Sequence, residues 1–203
     1  MATVDNYRTI KAPAEGGYRE RGSKFFAFAY PCSSEEELKD YIGNLKKIHP
    51  LARHFCYGAI FGTTKEEQRS NDSGEPAGTA GLPILNQILS ADMTNVAVIV
   101  IRYFGGTKLG KPGLIQAYKL SAQASLEAAK AITITVKDSI HVHFDYDDTG
   151  NVIRAIEGFP GASIVDQLFD QRCSIIFSVP LSTVSDALHL FDHLPHVQIG
   201  QIA

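Results

Sequence analysis

Apolar and polar positions along the chain alternate and cluster in ways that assign most of its elements. Residues 25–30 alternate aromatic and small side chains with the two-residue period of a strand. Ser34 and Glu37 stand three apart just ahead of Leu38, Tyr41, Ile42 and Leu45, so a capping box opens a helix there. His54–Phe61 predicts a second strand. Residues 62–81 are rich in Gly, Ser, Asn, Asp and Thr with no apolar period, and are expected to be a loop or to include one. Pro83 then opens a short helix carrying Ile84, Leu85 and Ile88. Residues 95–104, with Val-Ala-Val-Ile-Val-Ile apolar on both faces, predict a central buried strand. After a glycine-rich turn over 105–113, Leu114, Tyr118, Ala122, Leu126 and Ala129 mark one face of a long helix.

The β-branched stretch 132–136 places a domain boundary, giving domains 1–133 and 134–203. The second reads as strand (139–146), helix (151–158), strand (163–169), turn (170–172), strand (174–179), helix (183–193) and strand (196–202), with Thr183 and Asp186 as a capping box. This βαββαβ order in some seventy residues is the ferredoxin-like split βαβ arrangement, so the fold class is α+β.

Composition adds little to this outline, and charge adds more. Of 203 residues 44% are hydrophobic and 20% charged, ordinary for a globular protein. No apolar run is long enough for a membrane helix, the N-terminus carries no signal pattern, and the three cysteines are scattered, so a cytoplasmic setting is expected. Residues 1–133 hold 16 Lys and Arg against 13 Asp and Glu, a net of +3; residues 134–203 hold 3 against 9, a net of −6. A polyanion would meet the first domain.

Candidate chemistry gathers in that domain. Arg102-Tyr-Phe-Gly-Gly-Thr-Lys-Leu-Gly-Lys-Pro-Gly113 joins a buried strand to a helix. Gly105, Gly106 and Gly110 allow close backbone approach, and Arg102, Lys108 and Lys111 add positive charge, the makings of an anion or nucleic-acid site. Gly105-x-x-x-x-Gly110-Lys111 matches much of a P-loop, but Pro112 stands where a hydroxyl and an N–H are needed, which excludes that reading. Arg21 and Lys24 form a second small basic cluster, and Arg53 and His54 lie beside Cys56. Asp72 and Glu75 are candidates for acid–base work if folded against His54, while Gly78, Thr79 and Gly81 ahead of Pro83 offer a second anion nest. No metal or cofactor is expected, since no set of residues has recognised ligand spacing.

Four of these stretches, in order, carry a resemblance: Arg21-Gly-Ser-Lys-Phe-Phe-Ala27, His49-Pro-x-Ala-x-His54, Ser73-Gly-Glu-Pro-x-Gly-Thr-Ala-Gly-x-Pro83 and Arg102-Tyr-Phe-Gly-Gly-x-Lys-Leu-Gly110. They resemble the signature of the Impact/YigZ family. The resemblance implies an N-terminal domain of the ribosomal-protein-S5 domain-2-like type and a C-terminal ferredoxin-like domain. It also implies kinship with eukaryotic proteins that regulate translation by binding partners. The chain departs from the family's usual pattern at Lys111 and Pro112, where small residues are usual, at Gln116 in place of arginine, and at Ser73, where a second acid is usual.

Three functions follow as expectations. The first is a non-catalytic, translation-associated regulator that binds RNA or a ribosome-associated protein through Arg21, Lys24, Arg53, Arg102, Gly105, Gly106, Lys108, Gly110 and Lys111. The second is an enzyme acting on an anionic small molecule in a cleft near His54, Asp72, Glu75 and Lys108. The third is a protein-interaction module that docks through the acidic C-terminal domain.

Overall fold

The computed structural model describes residues 5–170 and 172–201. The fold is mixed α/β and divides into two compact units. The first is Tyr7–Ile134; the second runs from Thr135 and also takes in Asp5 and Asn6. Asp5 joins the second unit through hydrogen bonds: its carboxylate accepts from Ser182 N at 2.7 Å and its carbonyl from Val136 N at 2.6 Å.

The first unit comprises, apart from the end residues Asn6 and Thr135, β1 (Asn6–Ile10), β2 (Ala14–Glu20), β3 (Ser23–Pro31), α1 (Glu35–Ile48), β4 (His54–Phe61), β5 (Glu67–Asn71), α2 (Gly81–Ser90), β6 (Val96–Tyr103), α3 (Gly110–Ala128) and β7 (Ala131–Thr135). Five strands form an antiparallel sheet in the order β2-β3-β6-β4-β5. β1 pairs with β7 in a separate two-stranded sheet. β6 is central because both of its faces are apolar: Val96, Val98 and Val100 pack with α2 and α3, and Ala97, Ile99 and Ile101 with α1. β3 divides likewise, with Phe25, Ala27 and Ala29 toward α2 and α3, and Phe28 and Tyr30 toward α1.

The Ser34 hydroxyl accepts from Glu37 N at 3.3 Å, as the capping box requires. Three strands were not legible as strands. β1 precedes the first expected element, β5 lies inside the expected loop, and β2 reads Ala-Glu-Gly-Gly-Tyr-Arg-Glu. Gly16 of β2 has a packing reason: a Cβ there would lie 2.4 Å from Ser125 N, so its bareness lets α3 rest on the strand. α3 begins at Gly110, which puts Lys111 and Pro112 in its first turn, where a missing N–H costs no intrahelical bond.

The second unit comprises β8 (Lys137–Phe144), α4 (Thr149–Gly158), β9 (Ser163–Leu168), β10 (Cys173–Pro180), α5 (Val184–Leu188) and β11 (Gln198–Gln201). Its sheet is antiparallel in the order β11-β8-β10-β9. Ile140, Val142, Phe144, Ile175 and Phe177 line one face and pack with Val152, Ile156 and Ala187 of the helices. The last helix is shorter than the expected 183–193. The Thr183 hydroxyl donates to Pro180 O at 2.9 Å within a 3-10 turn and caps nothing. Of the expected last strand, Ile202 lies outside the described residues, as does Gln171 of the expected turn.

Candidate functional site

Strand register brings the four signature stretches to one end of the five-stranded sheet. Lys24 pairs with Tyr103, Phe25 with Arg102, and Arg102 in turn with His54, so the starts of β3 and β4 meet the end of β6. The β2–β3 turn has Arg21 at φ 45° and Gly22 at φ 78°, both left-handed, as a two-residue hairpin requires. Gly105 presses against that turn: a Cβ on it would fall 1.9 Å from Gly22 C, and its N–H donates to Ser23 Oγ at 3.2 Å. Only glycine allows this contact, which fastens the turn after β6 to the β2–β3 hairpin. Gly106 and Gly110 take φ of 87° and 70°. Lys108 and Lys111 follow on the exposed surface, and Arg21, Lys24 and Arg53 are exposed as well.

The acidic loop reaches the same end and is held from within. The Asp72 carboxylate accepts from the backbone N–H of Gly78 (2.8 Å), Ala80 (2.9 Å) and Gly81 (2.9 Å). The nest ahead of Pro83 is therefore filled by the chain's own anion, and Asp72 caps α2, which has no side-chain cap of its own at Ala80. Burial alone would raise the Asp72 carboxyl, but the N–H groups of Gly78, Gly81 and Ala80 outweigh it and hold the group below its ordinary value.

Glu75 is enclosed, with its side chain 4% exposed, and accepts from Arg102 Nη1 and Tyr118 Oη, each at 2.8 Å. The Cys56 thiol lies 3.0 Å from Asp72 O and 3.3 Å from Tyr118 Oη, and burial pushes it up to about 12. At neutral pH it is a protonated core thiol and not a nucleophile. His54 Nδ1 is 2.9 Å from Ser73 O; a carbonyl can only accept, so that nitrogen carries the proton. The Ser73 hydroxyl in turn accepts from Phe55 N at 3.0 Å.

His54, Asp72, Glu75 and Arg102 thus form a latch between loop and sheet. The charge of Arg102 is committed to Glu75, and its guanidinium lies 5.5 Å from the rings of both Phe25 and Phe104. What this end of the unit presents outward is Arg21, Lys24, Arg53, Lys108 and Lys111. Of these, Arg21 has the carboxylate of Glu20 at 3.7 Å, which offsets one positive charge and leaves four.

Two features escaped the sequence reading. Lys24, Phe26, His49, Tyr103, Phe104 and Gly22 line a groove of about 370 Å³ beside these cations. In the second unit, His141 and His143 share one face of β8 with ring centroids 4.0 Å apart, and burial, His141 and Arg172 hold His143 below its ordinary value. A His-x-His pair within a strand pattern was the available signal. Among the described residues no group of three or more His, Cys, Asp or Glu is placed to hold a metal ion, and no helix is long and apolar enough to cross a membrane.

Fold and site together define a two-unit α/β protein whose signature motifs converge on a latched, outwardly basic end of the first sheet. The chain belongs to the Impact family: residues 21–126 match the Impact N-terminal domain. The IMPACT family member YvyE of Bacillus subtilis is 33% identical over 149 residues, covering 73% of this chain and 69% of that protein. The Protein IMPACT homolog of Saccharomyces cerevisiae is 36% identical over 96 residues, 45% of this chain and 36% of that one. A crystal structure of a hypothetical protein covers 99% of both chains at 22% identity with a TM-score of 0.71, so the two share a fold.

Proposed function

We propose that this chain is a non-catalytic, translation-associated protein that binds RNA through the motif end of its first unit. One observation carries the reading: at that end the carboxylates of Asp72 and Glu75 are consumed by internal partners, while Arg21, Lys24, Arg53, Lys108 and Lys111 are exposed. The local field is therefore positive, whatever the formal charge of −3 of the whole chain. Residues 134–203, with their net −6, contribute nothing to that attraction. Family membership supports the translational setting, since eukaryotic members regulate translation. The scaffold goes with it: a first unit of the ribosomal-protein-S5 domain-2-like type and a ferredoxin-like second unit. The latter is supported by its β8-α4-β9-β10-α5-β11 order.

Less favours the enzyme reading, because Asp72 is held by three backbone N–H groups and the Glu75 side chain is enclosed against Arg102 and Tyr118, closed to a substrate. Filter binding of a ribosomal RNA fragment at about 50 and about 200 mM salt tests the proposal. Contacts from four or five cations give a log–log slope of about −3, at about 0.7 per phosphate. Absent or salt-insensitive binding refutes it.

A further inference from the structure

We infer that the groove lined by Gly22, Lys24, Phe26, His49, Tyr103 and Phe104 seats one unpaired nucleobase, which gives the protein a preference for single-stranded over duplex RNA. The inference rests on the RNA-binding reading and deepens it. Two large aromatic side chains are left in solvent here, Phe104 58% and Phe26 36% exposed, directly beside exposed Lys24. Aromatic faces next to cations are what a polyanion bearing flat heterocycles needs: phosphates meet the charge and bases meet the rings.

The rings are set as walls. Phe26 and the His49 ring lie 5.9 Å apart at 31°, and Tyr103 stands at 90° to Phe26 with centroids 5.8 Å apart. His49 Nδ1 and Tyr103 Oη are 3.0 Å apart, which fixes both rings and places a polar pair at the wall where a base edge could meet it. Phe104 is steadied from behind by the Arg102 guanidinium, itself locked to Glu75. Gly22 contributes no side chain, and the Gly22–Gly105 contact keeps the hairpin and the turn after β6 together at the groove's edge. In a duplex both faces of a base are stacked and its edge is paired, so only an unpaired base can enter. Lys24 in the groove wall disfavours an apolar peptide side chain as the occupant.

The test uses the full chain and a short oligoribonucleotide carrying one 2-aminopurine. It is presented as a single strand, hybridised to its complement, and beside an abasic ribose-phosphate chain of equal length. The inference predicts tighter binding of the single strand than of either other form, with quenching of 2-aminopurine fluorescence on binding. Phe104→Ala should weaken single-strand binding roughly 5- to 150-fold and abolish the quenching, while duplex affinity and the salt slope stay unchanged and Phe104→Tyr restores both. Equal affinity for all three forms with a retained salt slope overturns the nucleobase pocket and leaves the RNA reading standing. So does a Phe104→Ala loss that is equal for single strand and duplex. No salt-dependent binding of any form overturns both.

Discussion

Arg102→Ala is expected to lower the stability of the protein by about 3–5 kcal/mol, read as a shift of the urea unfolding midpoint. The cause is the partner left behind. The Glu75 side chain is 4% exposed and accepts from Arg102 Nη1, and without that guanidinium a carboxylate remains buried with only the Tyr118 hydroxyl to satisfy it. The pair itself need not stabilise the fold, because bringing two charges out of water costs about as much as their attraction returns. Arg102→Met combined with Glu75→Leu should therefore recover most of the loss. A single-variant loss below about 1 kcal/mol would show the pair to be solvated, as surface pairs are.

Asp72→Ala should destabilise by about 2 kcal/mol, because Gly78, Ala80 and Gly81 lose one shared acceptor and α2 loses its cap. The pH dependence has a definite sign. The folded carboxyl lies below its ordinary value, since three N–H donors outweigh the opposing effect of burial. Its contribution is complete above the unfolded value of about 4 and fades as pH falls through the folded value. The stability gap between the wild type and Asp72→Asn should be constant near neutrality and should close under acid. A gap that widened under acid would mean that the protonated form is the one held.

The central elements were legible because burial writes itself into composition. β6 carries six consecutive apolar residues for two packed faces, and α1 carries both its cap and its stripe. β2 and β5 were not legible because both are edge strands. β2 gives up side chains so that α3 can approach, and β5 is polar along its length, with Arg69 paired to Glu67 at 3.1 Å. At the site, the motif residues could be listed in order, but not which of them would spend their charge on one another. Asp72 and the nest at Gly78–Gly81 stand apart in the sequence as separate candidates, and their meeting removes both from ligand chemistry. Arg102 and Glu75 are separated by 27 residues, and they meet because β6 pairs Arg102 with His54 while His54 and Phe55 hold the loop at Ser73. The groove was hidden for a related reason. Phe26 and Phe104 look like core residues, yet both are left exposed at that end of the sheet, Phe104 just beyond the end of β6.

The most direct test of RNA binding at the motif end compares two triple charge reversals in the same salt-dependent filter assay. One is Lys24→Glu, Lys108→Glu and Lys111→Glu; the other is Arg8→Glu, Lys11→Glu and Lys130→Glu, which carries the same change of net charge toward the other end of α3. The 19 residues of that helix span roughly 28 Å, well beyond a Debye length at physiological salt. The motif-end variant should lose RNA binding and flatten the salt slope, with the second triple close to wild type. Equal losses from both would contradict a defined interface and leave only the diffuse attraction of any basic surface.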